Sequence, residues 1–99
     1  RYENLVIINR YHGVCQKTKQ GKIYYETKIH WNGDLLVGRY ENEIEAAIAY
    51  NKAASTLLRK GYLKDYPVNY IEELSDSEYR SRYQVVDISD KIKVLKSLL

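Results

Sequence analysis

The chain has 99 residues, 44% hydrophobic and 29% charged, which suits one compact soluble domain with a small core. No apolar run reaches the length of a bilayer span and none resembles a signal peptide, so neither a membrane partner nor a secretory leader is expected. The single cysteine, Cys15, excludes an internal disulfide and favours a reducing intracellular setting, bacterial cytoplasm and nucleoid or a nucleus.

The formal charge of +3 is unevenly spread. Residues 1–40 carry the bases Arg1, Arg10, Lys17, Lys19, Lys22, Lys28 and Arg39 against Glu3, Glu26 and Asp34, whereas acids and bases nearly balance in residues 41–99. A basic first half beside a near-neutral second half points to a polyanion-facing surface on one side of the fold. Tyrosine supplies 11 of the 12 aromatic residues and phenylalanine is absent. The chain starts at Arg1 and holds no methionine, which reads as a piece of a longer protein.

In chain order, residues 1–9 form a lead-in segment around "NLVII". A short strand is expected over 10–17, with Gly13 inside it as a bulge or a point of close backbone approach, and then a polar turn, "TKQGK". "IYYETKIHWNGDLLVGRY" holds two strand-like runs around Asn32-Gly33, a strong hairpin signal. A two-residue loop would pair Trp31 with Asp34, placing Ile29, Leu36 and Tyr40 on one face and Lys28, His30, Leu35 and Val37 on the other. A three-residue loop with Gly33 left-handed would send Ile29, Leu35 and Val37 inward and Lys28, His30 and Leu36 outward. The second register leaves one apolar residue on the open face instead of two and is preferred. It needs an irregularity at Gly38 if Tyr40 is to turn back toward the core.

A helix follows, capped by Asn42 with Glu45 three residues on and stopped near Gly61. Ile44, Ala47, Ile48, Ala54 and Leu58 fall along one face; Ala46, Ala49, Tyr50, Ala53 and Leu57 widen it. So many alanines let the helix axis lie close to a partner, and the partner available is the sheet. "DYPVNYIEEL" is expected to be extended. Ser75 with Glu78 resembles a second capping box, and Ser89 or Asp90 would cap a last helix over 89–99, with Ile92, Leu95, Leu98 and Leu99 as its apolar stripe. The fold class is therefore α+β, a three-stranded antiparallel sheet on one long helix with a C-terminal helical extension.

In order and spacing, "YHGV" (11–14), "KIH" (28–30), "VGRY" (37–40), "EIEAAIAYNKAA" (43–54) and "DYPVNYI" (65–71) resemble the AP2/ERF DNA-binding domain, across roughly 10–71, leaving 72–99 as an extension. The resemblance implies a sheet lying in the major groove of double-stranded DNA with the helix behind it. Carried over by position, the contact residues are His12, Gly13, Cys15, Lys17 and Lys19 in the first strand and turn, Lys28 and His30 in the second strand, and Leu36 and Arg39 in the third. Lys22 adds phosphate affinity. Plant members have arginines where this chain has His12 and Cys15, tryptophan near Lys19 and at Leu36, and glutamate at Lys28. With fewer arginines, the balance leans from base reading toward phosphate positioning. The pattern is closer to the divergent members of bacteria, phages and mobile elements, some of which sit beside HNH homing endonucleases.

His12, Cys15 and His30 lack a fourth ligand and metal-site spacing, so no metal and no other cofactor is expected. No clustered carboxylates and no HNH-like histidine set suggest a nuclease within the chain. The expected function is DNA binding, as a transcription regulator or as the targeting module of a larger protein. The alternatives are the DNA-targeting part of a homing endonuclease, and a protein-interaction or self-association module using the C-terminal helix.

Overall fold

The computed structural model describes residues 11–31, 33–62 and 65–98. The lead-in segment 1–9, Asn32 of the hairpin loop and Leu99 of the C-terminal stripe lie outside them. Strands β1 (Val14–Lys19), β2 (Lys22–His30) and β3 (Asp34–Tyr40) form an antiparallel sheet in the order β1-β2-β3. Helix α1 (Glu43–Arg59) packs on it, and the shorter α2 (Asp76–Val85) and α3 (Asp90–Lys93) pack on α1.

The β1–β2 connection is tighter than a five-residue polar turn. Lys19 pairs with Lys22, leaving Gln20 and Gly21 as a two-residue loop with φ of 52° and 79°. Two successive positive φ values give the turn twist that matches paired strands. β1 also begins later than expected. Gly13 lies before the strand, not inside it, with φ of 78°, and its carbonyl accepts from Lys28 N–H at 2.9 Å.

The second hairpin follows the preferred register. His30 pairs with Asp34 around a three-residue loop in which Gly33 has φ of 101°. Ile29 pairs with Leu35 on the inner face, and Lys28 with Leu36 on the outer. The register then shifts: Thr27 pairs with Gly38, so Val37 is the extra residue of a bulge. The bulge lets Val37 and Tyr40 both serve the inner side. The Tyr40 ring folds over Gly38, where a Cβ would stand 2.5 Å from its hydroxyl oxygen.

Helix α1 starts at Asn42, whose Oδ1 accepts from Glu45 N–H at 2.8 Å. It ends in a Schellman closure: Tyr62 N–H reaches Leu57 O, Gly61 N–H reaches Leu58 O, and Gly61 takes φ of 94°. Ala46, Ala47, Ala49, Ala53 and Ala54 are all buried. Their small size has two consequences. The Thr27 hydroxyl of β2 reaches the helix backbone and donates to Ala46 O at 2.9 Å. On another side the 65–71 segment comes close enough for Asn69 Nδ2 to reach Ala47 O at 3.4 Å. Leu58, expected on the inner stripe, is 49% exposed, and Leu57 beside it is fully buried. One residue is a turn of about 100°, enough to move Leu58 off the edge of the stripe.

Ser75 and Glu78 form the expected capping box at the start of α2, with bonds of 3.2 and 2.8 Å. The last helix is much shorter than 89–99. Ser89 caps α3, which covers only Asp90–Lys93. Ile92 is fully buried and Leu95 partly, whereas Leu98 is exposed. Val86, Ile88 and Ile92 join the same core as Ile29, Ile48 and Leu57, so the extension shares the core of the sheet and α1. The stretch 86–89 also covers the free edge of β3: Ser89 N–H donates to Val37 O at 2.8 Å, and the Tyr40 hydroxyl to Asp87 O at 2.6 Å.

Candidate nucleic-acid interface

Strand parity sorts the sheet into two faces. Val14, Thr27, Ile29 and Val37 are buried against α1. The outer face carries Cys15, Lys17 and Lys19 from β1, then Lys22, Tyr24, Glu26, Lys28 and His30 from β2, and Asp34, Leu36 and Arg39 from β3. Lys17, Lys19, Lys22, Lys28, His30, Arg39 and Cys15 are all exposed, and Leu36 is half-buried. The helices pack on the other side.

Eight of the ten expected contact residues thus share one face. His12 and Gly13 do not belong to its strands. His12 is exposed, and its backbone is held at both ends by Asn69: His12 N–H donates to Asn69 Oδ1 at 2.7 Å, and Asn69 Nδ2 to His12 O at 3.1 Å. The close approach at Gly13 is internal. A Cβ there would overlap the Tyr50 ring and stand 2.6 Å from Lys28 O.

Pairing sets the neighbours across the face. Cys15, Glu26 and Arg39 form one row through the centre, and Lys17 pairs with Tyr24. His30 Nδ1 lies 3.8 Å from Asp34 Oδ1, so an acid stands beside that histidine. Arg39 Nε donates to Glu26 Oε2 at 3.2 Å, and Lys28 Nζ lies 3.7 Å from Glu26 Oε1. Glu26 is 8% exposed, low for a residue on an open face, because flanking side chains close over it. Selecting bases as partners for a polyanion passes over this acid. Its parity with Lys22, Lys28 and His30 is the signal that places it among them.

Lys19, Tyr24, Arg39, Tyr40 and Glu41 line an open cleft of about 480 Å³ at one end of the face. Burial, then the nearby Asp87 and Glu45 carboxylates, push the Tyr40 hydroxyl up to about 12. It therefore stays a neutral donor at the cleft's inner wall. A second cleft, of about 380 Å³, lies between the 68–71 stretch and α2, with Val68, Tyr70, Leu74, Asp76 and Tyr79 on its walls. It holds no base and does not extend the cationic surface.

Trp31 packs edge-on against Tyr62 at 5.3 Å between ring centroids, covering the margin of the core. Tyr24 on the outer face is half-buried; Tyr70, at 80%, is far more open. Among the described residues no three of His, Cys, Asp and Glu gather as metal ligands, and no helix is long and apolar enough to cross a membrane. No family model, no curated protein and no solved structure matches the chain.

Proposed function

We propose that this chain binds double-stranded DNA by laying the outer face of its sheet in the major groove, as a regulator or as the targeting module of a larger protein. The observation that carries the reading is the gathering of Lys17, Lys19, Lys22, Lys28 and Arg39, all exposed, on the sheet face opposite the helices. Three strands span roughly 10 Å at the usual spacing, and the groove is about 12 Å wide.

The bases divide by their neighbours. Among the described residues no acid pairs with Lys17, Lys19 or Lys22 on β1 and its hairpin, which suits phosphates. Lys28 and Arg39 share Glu26 and sit nearer the centre, which suits base edges. Releasing counterions from three phosphate contacts gives a slope of log K against log salt of about −3, against roughly −4.5 if all five bases met phosphates.

Titrating labelled duplex over a range of salt concentrations tests the reading. Lys28→Ala or Arg39→Ala is expected to weaken binding several-fold or more, and Lys17→Ala to lower the slope by about one. Lys93→Ala should do neither, since Lys93 lies on α3 and pairs with Asp87 and Asp90. Equal effects from all of these variants would remove the sheet as the surface. The same duplexes with magnesium report any cleavage, which the reading assigns to no residue of this chain. The interaction-module alternative has less surface to use. With Ile92 buried, the apolar side chains exposed along described residues 89–98 are Val94 and Leu98. That alternative predicts concentration-dependent association with no salt-sensitive duplex shift.

A further inference from the structure

Glu26, unlike Asp34 at the hairpin end, is an acid at the centre of the outer face, where a polyanion surface does not call for one. Its carboxylate subtracts charge from the centre, and by net charge alone an alanine there would serve better. Its side chain is 10% exposed, against 59% for Arg39 and 49% for Lys28. Each carboxylate oxygen has a cation: Oε2 takes the Arg39 Nε hydrogen bond, and Oε1 faces Lys28.

The atom that Arg39 gives to Glu26 is informative. A guanidinium has one Nε–H and two terminal nitrogens, and bidentate reading of guanine O6 and N7 uses a pair of these donors in one plane. Binding Nε from below fixes that plane and leaves the terminal nitrogens on the solvent side of an arginine that would otherwise sample many rotamers. The same carboxylate repels phosphate from the spot and so keeps Arg39 for a base.

We propose that Glu26 is a positioning residue which aims Arg39 at a guanine edge in the major groove and thereby sets preference for one G·C pair. The inference rests on the DNA-binding reading above. Glu26 exchanges affinity on any duplex for discrimination between duplexes.

The experiment first defines a preferred site by selection from a random duplex pool. Wild type, Glu26→Gln, Arg39→Ala, Arg39→Lys and the Glu26→Gln/Arg39→Ala double variant are then titrated on that site, on versions with each G·C pair changed in turn, and on a scrambled duplex. Glu26→Gln is expected to tighten the scrambled duplex a few-fold by removing a negative charge. It should also cut discrimination at one G·C pair about tenfold, the scale of a bidentate contact. Arg39→Ala should abolish discrimination at that same pair, and adding Glu26→Gln to it should cost no more there, as coupling through Arg39 requires. Arg39→Lys keeps the charge beside Glu26 but loses the fork. It should lose the same preference, read as the ratio of affinities between the selected site and the version with that G·C pair changed, which keeps the test independent of how Glu26 variants fold. Two outcomes overturn the proposal: Glu26→Gln tightening every duplex with all base preferences intact, and Arg39→Lys keeping the preference. Wild type that binds no duplex in a salt-dependent way fails at the first step, and that result removes the DNA-binding reading itself.

Discussion

Lysines on the two sides of the sheet have opposite fates. On the helix side, Lys52 is half-buried and its Nζ donates to Tyr83 O and Val86 O, both at 2.8 Å, closing the C-terminal end of α2. Lys60 does the same for the segment after α3, donating to Lys93 O and Leu95 O at 2.9 and 2.7 Å. These cations satisfy carbonyls that a helix end leaves without partners. Lys17, Lys19 and Lys22 on the outer face are exposed. A count of bases treats all of these alike, but a lysine whose ammonium is spent on main-chain carbonyls is not available to a polyanion. Changes on the helix side should therefore move stability and leave duplex binding alone, and changes on the outer face should do the reverse.

The largest expected effect lies where the two sides meet. Gly13→Ala combines a left-handed backbone with overlap against the Tyr50 ring and the Lys28 carbonyl. It should cost about 3 kcal/mol, seen as a lower denaturant midpoint. If the fold tolerates it, the close packing of Tyr50 on that turn is not needed. Asn69→Ala comes next. Asn51 and Asn69 exchange two bonds, Asn69 N–H to Asn51 Oδ1 at 2.7 Å and Asn51 Nδ2 to Asn69 O at 2.8 Å. The Asn69 side chain in turn holds both backbone groups of His12. Removing it leaves polar groups unpaired near the core, a loss of about 2 kcal/mol. Lys52→Met keeps an unbranched side chain but loses both carbonyl bonds and the ammonium that lies 5.3 Å from the Tyr83 ring centroid. A cost of about 1 kcal/mol should show as faster amide exchange in the last turn of α2, with unchanged affinity for duplex. Weakened duplex binding in Lys52→Met would break the division between the two sides.

Much of this division is readable from the residues. Parity within β2 alternates inner Thr27 and Ile29 with outer Glu26, Lys28 and His30, and the three-residue loop follows from keeping Leu35 and Val37 inside. The alanines announce a close approach, and Thr27 and Asn69 are what come close. Other features depend on contacts distant in sequence. Asn69 looks like any polar loop residue until Asn51, 18 positions away, is placed opposite it. The start of β1 is set by Tyr50 pressing on Gly13, which no local pattern encodes. The last helix is cut short because Ile92 and the cap at Ser89 satisfy that stretch within four residues, while Lys60 takes the following carbonyls. Glu26 is legible by parity, yet its pairing with Arg39 appears only once β3 is in register beside β2.

The smallest effect sharpens the comparison at the join between sheet and C-terminal segment. Tyr40 belongs to β3, but its hydroxyl donates to Asp87 O, and burial with two nearby carboxylates raises its ionisation to about 12 from the usual 10. A hydroxyl that is harder to ionise in the folded state stabilises the fold fully below pH 10. That contribution fades as pH rises toward 12, because the unfolded chain gives up the proton first. Wild type should therefore lose melting temperature across that alkaline window. Tyr40→Phe cannot ionise, so its melting curve should fall less steeply there while starting about 1 kcal/mol lower at neutral pH from the lost hydrogen bond. Tyr50 and Tyr79 are also raised by burial and contribute to the same decline, so the informative quantity is the difference between the two proteins. Parallel curves would mean that the Tyr40 hydroxyl does not secure the 86–89 stretch to the edge of the sheet.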